Sequence, residues 1–241
     1  MNNYGLIGKK LSHSFSKEFF NHKFKKLKLS NYSYKNFELD NISSIRELIV
    51  KNNLLGLNVT IPYKKKILKY VDELDYYAKE IGAVNTLKIV NKKILGYNTD
   101  ALGFEKTLIP IIENKKSALI LGNGGASKAI QFVLKKNNIK FQVVSRNGKK
   151  IYEDICENDI NKNLIIINTT PLGMYPDIKS FPKIPYHFLS KKHIAYDLVY
   201  NPRETIFLKK AKEKGCLSIG GFKMLVEQAN FAWKIWENNF H

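Results

Sequence analysis

Cysteine and arginine are scarce in this sequence of 241 residues, and long apolar runs are missing. The two cysteines, Cys156 and Cys216, lie far apart without metal-ligand spacing, which favours reduced thiols over a disulfide framework or a metal site. No apolar stretch approaches the ~20 residues that a membrane-spanning helix needs, and no signal-peptide pattern opens the chain. We therefore expect a soluble, cytoplasmic protein of one or two domains with no membrane partner.

Acidic residues are also few: 21 against 40 basic ones, for a net charge of +19. Only Arg46, Arg146 and Arg203 are arginine, whereas nucleic-acid binding proteins favour arginine for its bidentate contacts with phosphate and guanine. The lysines form short clusters spread over both halves of the chain. We interpret most of this charge as solvent-exposed lysine and expect no nucleic-acid partner.

Strand and helix patterns alternate along the chain, and the alternation restarts near Asp100. Before that point the patterns predict strands at 4–7, 34–39, 56–61, 83–90 and 94–97, with helices at 15–27 and 42–50 and two short ones later. After it they predict strands at 117–121, 141–144, 164–167 and 194–198. The predicted helices lie at 101–113, between Ser127 and about Lys136, from Pro202 to Gly215, and at 222–237. This order is typical of an α/β protein with largely parallel sheets. We expect two domains meeting near residue 101 with a cleft between them.

A glycine-rich turn, Gly122-Asn123-Gly124-Gly125-Ala126, joins a predicted strand to a predicted helix. This is the Rossmann arrangement, in which the turn lets the backbone approach a pyrophosphate and the helix N-terminus offers N–H donors. Ser127 replaces the third glycine of the usual fingerprint, and a glycine turn can also be only a turn. The strand–turn–helix context favours a dinucleotide site.

The end of the next strand indicates which dinucleotide. An NAD site generally has an acid there for the ribose 2′-hydroxyl, whereas this chain has Ser145-Arg146-Asn147 followed by Lys149 and Lys150. These cations suit a 2′-phosphate and favour NADP. The alternative is an exposed basic turn in a basic protein.

Polar clusters end several predicted strands of the N-terminal half. They are Ser12-His13-Ser14, Asn58 to Lys64, Ala83-Val84-Asn85-Thr86, and Tyr97-Asn98-Thr99-Asp100. The carboxyl ends of parallel strands line the ligand crevice of α/β proteins. Hydroxyls and amides there suit a small polyhydroxylated ligand, and a lysine with an aspartate can manage a proton. Taken singly, each cluster also fits ordinary cap and turn chemistry.

Together these motifs resemble the shikimate dehydrogenase family over nearly the whole chain. The opening strand with Ser12-His13-Ser14 is similar to the family's Ser-x-Ser motif, and Asn58 to Lys64 is similar to its Asn-Val-Thr-x-Pro-[Phe/Tyr]-Lys segment. Further likenesses follow in the expected order. They are Gly82 to Thr86, Asn98-Thr99-Asp100, Tyr196 to Pro202, Gly221, and Met224 to Ala229.

The resemblance implies an N-terminal α/β substrate domain, 1–101 with 222–241, and a Rossmann-like NADP-binding domain with a parallel sheet, 102–221. It implies NADPH-dependent reduction of 3-dehydroshikimate to shikimate, on the route to chorismate and the aromatic amino acids. Lys64 and Asp100 are then the catalytic pair. The substrate is held by Ser12, Ser14, Asn58, Thr60, Asn85, Tyr200 and Gln228. The cofactor lies on Gly122, Asn123, Gly124, Gly125, Ala126, Ser145, Arg146, Asn147, Lys150, Thr170, Leu198 and Gly221.

Two other hypotheses stay open at this point. One is a quinate/shikimate dehydrogenase that uses NAD, against which the missing acid after the second strand counts. The other is a basic binding protein on a decayed dehydrogenase scaffold, which predicts salt-sensitive nucleic-acid binding without turnover. The short stretch between Asn147 and Leu164 also suggests that a strand–helix unit is trimmed. The oligomeric state, monomer or homodimer, is not determined by the sequence.

Overall fold

The computed structural model describes residues 1–11, 14–112, 114 and 117–238. The chain forms two compact units. The first unit comprises Met1–Thr99 with Gln228–His241, and the second unit comprises Asp100–Glu227. The predicted division at residues 101 and 222, with its substrate and cofactor roles, stays a prediction. Within the described ranges, no helix combines the length and apolar character that crossing a membrane requires.

A six-stranded mixed sheet forms the centre of the first unit, in the order β2-β1-β3-β5-β6-β4. Its strands are β1 (Asn2–Gly8), β2 (Tyr32–Glu38), β3 (Leu54–Val59), β4 (Glu73–Leu74), β5 (Thr86–Val90) and β6 (Lys93–Tyr97). β1 pairs in parallel with β2 and β3, whereas β5 is antiparallel to β3 and β6. Asn91 and Lys92, both at positive φ, form the two-residue turn between β5 and β6. The sheet is mixed because β5 runs opposite to both of its neighbours.

Helices of the first unit pack on both faces of this sheet. They are α1 (Phe15–Lys26), α2 (Ile45–Lys51), α3 (Tyr76–Ile81) and the C-terminal part of α8 (Phe222–Trp236), with 3₁₀ turns at Ile42–Ser44 and Lys66–Tyr70. Side chains alternate along β1, so Tyr4 joins an aromatic core with Phe20 and Trp236, while Ile7 joins an aliphatic core with Leu57.

The second unit is built on a five-stranded parallel sheet, in the order β11-β10-β9-β7-β8. Its strands are β7 (Ser117–Leu121), β8 (Lys140–Val144), β9 (Ile165–Asn168), β10 (Ile194–Asp197) and β11 (Leu217–Ile219). Its helices are α4 (Thr99–Leu108), α5 (Gly125–Lys136), α6 (Glu157–Lys162), α7 (Ile206–Lys212) and the first part of α8. Because β7 lies between β8 and β9, the strand order reverses at the carboxyl end of β7, where such sheets bind ligands.

Two sequence expectations for the second unit need correction. The helix expected near Pro202 begins only at Ile206, because the Thr205 side chain accepts a hydrogen bond from the Leu208 N–H and caps it there. The stretch between β8 and β9 contains no strand, but it does contain the helix α6, which the sequence patterns did not predict.

Candidate active site

Three buried side-chain amides form a connected polar group in the first unit. Asn58 lies near the end of β3, Asn85 directly before β5 and Gln228 on α8, and each is at most 7% exposed. Asn85 Nδ2 lies 3.5 Å from Gln228 Oε1, and Asn58 Nδ2 donates to Thr86 Oγ1 at 3.2 Å. Three of the residues predicted to hold substrate hydroxyls are thus brought together.

The Asn85 amide is held by the start of α4. Its Oδ1 accepts the Thr99 backbone N–H at 2.7 Å, and its Nδ2 donates to Thr99 Oγ1 at 3.0 Å. Thr86 Oγ1 also donates to Asn85 Oδ1, at 3.2 Å. Because buried polar groups are costly when unpaired, this satisfied network fixes the amide in one orientation.

Lys64 follows the turn after β3 in the first unit and is half-buried. Its carbonyl accepts the Val84 N–H at 2.8 Å, which ties its backbone to the residue before Asn85. Thr60 opens the same turn, where its carbonyl accepts the Tyr63 N–H at 2.9 Å. The backbone that carries Lys64 is therefore fixed close to the buried amides.

Asp100 directly follows Thr99 in the first turn of α4 and is half-buried. An acidic side chain there interacts favourably with the positive end of the helix dipole. Since Thr99 is held by Asn85, the start of the helix that carries Asp100 is anchored. Asp100 itself is the first residue of the second unit.

Ser14 is the N-cap of α1, because its Oγ accepts the Lys17 N–H at 3.2 Å. The sequence allowed either a capping or a binding role for Ser14, and the structure shows the capping role, in which the hydroxyl acts as an acceptor. A hydroxyl keeps one hydrogen to donate, so capping is compatible with binding a carboxylate. Ser12 and His13 lie outside the described residues.

The glycine-rich turn lies at the carboxyl end of β7, at the reversal point of the second sheet. Gly122 has φ of +105°, and a Cβ there would lie 2.8 Å from the Thr169 and Thr170 side chains. Gly124 is the N-cap of α5 without a side-chain cap, and a Cβ at Gly124 or Gly125 would meet no atom within 4 Å. The turn thus fits a pyrophosphate, since it leaves open space at a helix N-terminus of oriented N–H donors.

The loop after β8 adjoins this turn, because the Gly122 N–H donates to the Val144 carbonyl at 2.7 Å. Ser145 N–H closes the loop on the Lys150 carbonyl at 3.1 Å, and Arg146 and Asn147 are exposed on it. Two predicted cofactor segments are therefore neighbours, with an exposed guanidinium available for a phosphate.

Lys150 is engaged elsewhere, since its Nζ lies 2.7 Å from Asp159 Oδ1. Asp159 also accepts the Cys156 N–H, so this carboxylate both caps α6 and pairs with Lys150. Hydrogen bonds from Cys156 and Lys150 hold the pKa of Asp159 below its ordinary value despite the opposing effect of burial. The structure therefore gives Lys150 a role in anchoring α6.

The remaining predicted residues of the second unit surround the ends of β9 and β10. Thr170 Oγ1 donates to Asn168 Oδ1 at 2.6 Å, and Asn168 Nδ2 donates to the buried Asp197 at 2.9 Å. A Cβ at Gly221 would lie 2.2 Å from the Leu198 carbonyl oxygen, so only glycine permits this close approach. Tyr200 is half-buried two residues after Leu198.

Comparison with known proteins finds relatives that cover most of the chain. Residues 6–87 match the model of the shikimate dehydrogenase substrate binding domain. A shikimate dehydrogenase (NADP(+)) of Methanococcus vannielii is 41% identical over 96% of this chain and 90% of its own length. The chain belongs to the shikimate dehydrogenase family.

Two solved structures of related enzymes resemble the chain along almost its whole length. A shikimate dehydrogenase in complex with NADP+ has a TM-score of 0.86 and 36% identity, covering 99% of this chain and 90% of its own. Quinate dehydrogenase from Corynebacterium glutamicum in complex with NAD has a TM-score of 0.88 and 25% identity, covering 98% and 94%. The expected family and α/β fold are thus confirmed.

Sequence reasoning did not assign a site role to Thr86, Thr99 and Tyr34, which belong to the polar group of this shikimate dehydrogenase family member. Thr86 lies inside a quoted motif but its hydroxyl role, between Asn58 and Asn85, emerges only from the contacts. Tyr34 donates to Asn58 Oδ1 at 2.7 Å from β2, and nothing near it in the sequence indicates a site. Tyr34 could have been identified only from the requirement that a buried tyrosine hydroxyl has a hydrogen-bond partner.

Proposed function

We propose that the protein catalyses the reversible NADPH-dependent reduction of 3-dehydroshikimate to shikimate, on the route to chorismate and aromatic amino acids. The connected amides of Asn58, Asn85 and Gln228, in a chain that belongs to the shikimate dehydrogenase family, are the observation that carries this proposal. Buried amides and hydroxyls that keep hydrogen-bonding capacity suit a substrate with several hydroxyls, and the contact of Asn58 with Thr86 uses only one of its two Nδ2 hydrogens. Such a site rejects analogues that lack a hydroxyl, because its own polar groups are then left unpaired.

The substrate-binding set extends these amides. Ser12 and Ser14 take the carboxylate through their hydroxyls, and Thr60 and Tyr200 contact the ring hydroxyls. The first unit carries all of these except Tyr200. This division supports the assignment of 1–101 with 222–241 to substrate binding and of 102–221 to the cofactor.

Lys64 and Asp100 form the catalytic pair in this proposal. Reduction of a ketone builds negative charge on its oxygen, and a proton must reach that atom. The Lys64 ammonium hydrogen-bonds this oxygen, stabilises the charge and donates the proton, while the Asp100 carboxylate orients the ammonium and keeps it protonated. In the direction of shikimate oxidation the same groups accept the proton.

NADPH supplies the hydride when bound, and the protein supplies position and charge. Gly122 to Ala126 and the start of α5 hold the pyrophosphate. Arg146 would bind the 2′-phosphate with Ser145 and Asn147, because no acid directly follows β8 to favour a free 2′-hydroxyl. Thr170, Leu198 and Gly221 line the nicotinamide end.

The deciding experiment mixes purified protein with shikimate and NADP and follows the absorbance of the reduced nicotinamide. We expect a signal that depends on shikimate. A folded protein without such a signal would contradict the proposal.

The second candidate is a quinate/shikimate dehydrogenase that uses NAD, favoured by the TM-score of 0.88 to the quinate enzyme with NAD. The Ser145-Arg146-Asn147 loop counts against it. Rates with shikimate and quinate, each measured with NADP and NAD at equal concentration, separate the two candidates.

We further propose that the enzyme works in the cytoplasm as a monomer or homodimer, with small molecules as its only ligands. Light scattering after size-exclusion chromatography gives the molecular mass in solution. A gel-shift titration against duplex DNA at physiological salt tests the nucleic-acid binding alternative.

A further inference from the structure

A buried tyrosine lies behind the substrate amides in the first unit. Tyr34 on β2 is 2% exposed, and its ring stacks on Phe20 with centroids 4.7 Å apart. Its hydroxyl donates to Asn58 Oδ1 at 2.7 Å and interacts with the side chain of Ser16. Burial raises the pKa of Tyr34 well above its ordinary value, so the hydroxyl stays protonated and remains a donor.

One backbone donor fixes the direction of the hydrogen bonds that link Asn85, Thr86 and Asn58. The Thr99 N–H can only donate, so the Asn85 atom facing it is the oxygen. The Thr86 hydroxyl, 3.2 Å from that oxygen, donates to it and therefore accepts from Asn58. The Asn58 atom facing Thr86 is then the nitrogen.

It follows that the Asn58 oxygen faces Tyr34 and accepts its hydroxyl hydrogen. A flipped Asn58 amide would place its oxygen against the Thr86 hydroxyl oxygen, whose hydrogen is already donated to Asn85 Oδ1. Thr86 and Tyr34 therefore act on the same amide from its two sides. These two contacts use one of the two Nδ2 hydrogens of Asn58 and one side of its oxygen.

We propose that Tyr34 and Thr86 are positioning residues that fix the orientation of the Asn58 amide, so that its second N–H meets an acceptor oxygen of the substrate. This inference rests on the proposed function, because it assigns the ligand of Asn58 as a hydroxyl oxygen of shikimate. Neither residue touches the substrate. Their effect is exerted through Asn58 and appears in substrate affinity.

The first test is Tyr34→Phe, which removes only the hydroxyl and keeps the stacked ring. We expect the Kd for shikimate, measured by calorimetry, and its KM to rise about tenfold, equal to about 1.4 kcal/mol. The KM for NADP stays unchanged and kcat falls by less than about threefold, because the reacting atoms are untouched. A merely structural role would lower the melting temperature without this split.

A double-mutant cycle with Asn58→Ala shows whether the effect passes through Asn58. In the Asn58→Ala background, Tyr34→Phe has no further effect on the Kd for shikimate if the inference holds. An equal loss in both backgrounds would overturn it.

Thr86 offers a second pair of variants. Thr86→Val removes the hydroxyl at nearly constant volume and is expected to weaken shikimate binding. Thr86→Ser keeps the hydroxyl and is expected to bind shikimate as the wild type does. Tyr196→Phe is the matched control, because that buried tyrosine pairs with Thr107 at 2.6 Å in the second unit. It leaves the Kd for shikimate unchanged.

The outcomes for the inference and for the proposed function are distinguishable. If wild-type protein does not bind shikimate, the proposed function fails and the inference fails with it. If wild-type protein binds shikimate and Tyr34→Phe binds it equally well, only the inference is overturned.

Discussion

Lys64 combines a fixed backbone with a side chain that is half-buried in the first unit. In the proposed mechanism Lys64 donates the proton to the substrate oxygen, and it would then contribute mainly to the chemical step. Lys64→Ala is expected to lower kcat by about 10²-fold or more with a smaller change in the KM for shikimate. Steady-state kinetics with the neighbouring Lys65→Ala as control check this. Near wild-type turnover of Lys64→Ala would remove Lys64 from the mechanism.

Asp197 is the buried carboxylate at the end of β10, where it accepts hydrogen bonds from Asn168, Val199 and Thr205. Burial raises the pKa of Asp197 to about 6 despite these donors. The folded chain therefore holds this proton more tightly than the unfolded chain, whose pKa is about 3.9. The stability that this proton contributes is complete below about pH 4 and is lost as the pH rises through 6.

We expect Asp197→Asn to remove this dependence on pH. Between pH 4 and pH 7 the free energy of unfolding of wild-type protein should fall by roughly 2–3 kcal/mol relative to the variant. Urea denaturation at several pH values measures it, and Asp177→Asn, at an exposed position, controls for the loss of one charge. A constant difference across that range would contradict the raised pKa.

The sequence singled out Asn58, Asn85 and Gln228 because they lie in motifs that resemble the shikimate dehydrogenase family, and the structure brings them into one polar group. Their contact with substrate stays a prediction. The ion pair of Lys150 with Asp159, nine residues later, was not predicted, since it depends on how α6 packs. Cofactor binding by Lys150 stays a prediction. Tyr34 was not predicted at all. Its partner is 24 residues away, and only strand pairing brings the two together.

Among the elements, the turn from β7 into α5 gives the sharpest test of cofactor binding. Gly124 has φ of −82°, which alanine also adopts, and the methyl group of Gly124→Ala would meet no protein atom within 4 Å. A pyrophosphate bound at this turn would contact the added methyl group. The variant is expected to keep the wild-type melting temperature while the Kd for NADP rises about tenfold or more.

A matched control lies in the first unit. A Cβ at Gly56 would lie 2.3 Å from Trp236 Nε1, so Gly56→Ala is expected to lose about 1–3 kcal/mol of stability through overpacking. Calorimetric scanning and NADP titration of both variants separate the two effects. Equal NADP affinity of Gly124→Ala and wild type would place the pyrophosphate elsewhere.

Elements with a long apolar run or a clear period were predicted well, whereas the short elements α6 and β4 were not. β7 was predicted at Ser117–Leu121, as observed, because a buried parallel strand is a continuous apolar run. Six residues of α6 are too few to display a 3.6-residue period, and β4 has only two residues. α7 starts late because the Thr205 cap outweighs the proline signal at Pro202.

At the scale of the whole molecule, the net charge of +19 acts on ligands that are anions. A positive field speeds their encounter with the protein, and salt screens it over a Debye length of about 10 Å at 0.1 M. We expect kcat/KM for shikimate to fall several-fold between low salt and about 0.5 M salt, with kcat nearly constant. Steady-state rates in sodium chloride and in potassium acetate at equal ionic strength test this. If kcat/KM for shikimate did not change with salt concentration, the net charge would play no part in ligand capture.

The alternation of strands and helices was sufficient to predict the α/β class and the parallel sheet of the second unit. It was not sufficient for the mixed sheet of the first unit, because the antiparallel pairing of β5 with β3 and the position of β4 beside β6 join strands that are distant in sequence. Such long-range pairing leaves no periodic trace in the sequence.

The first unit is assembled from two pieces of chain that are separated by the whole second unit. During synthesis its first 99 residues leave the ribosome early, but Trp236 follows much later. Until then Tyr4 and Phe20 lack the indole that packs 4.7 and 5.0 Å from their rings. The second unit, continuous in sequence, can close while this aromatic face is still open. The part of the protein that is made first is therefore the part that finishes folding last.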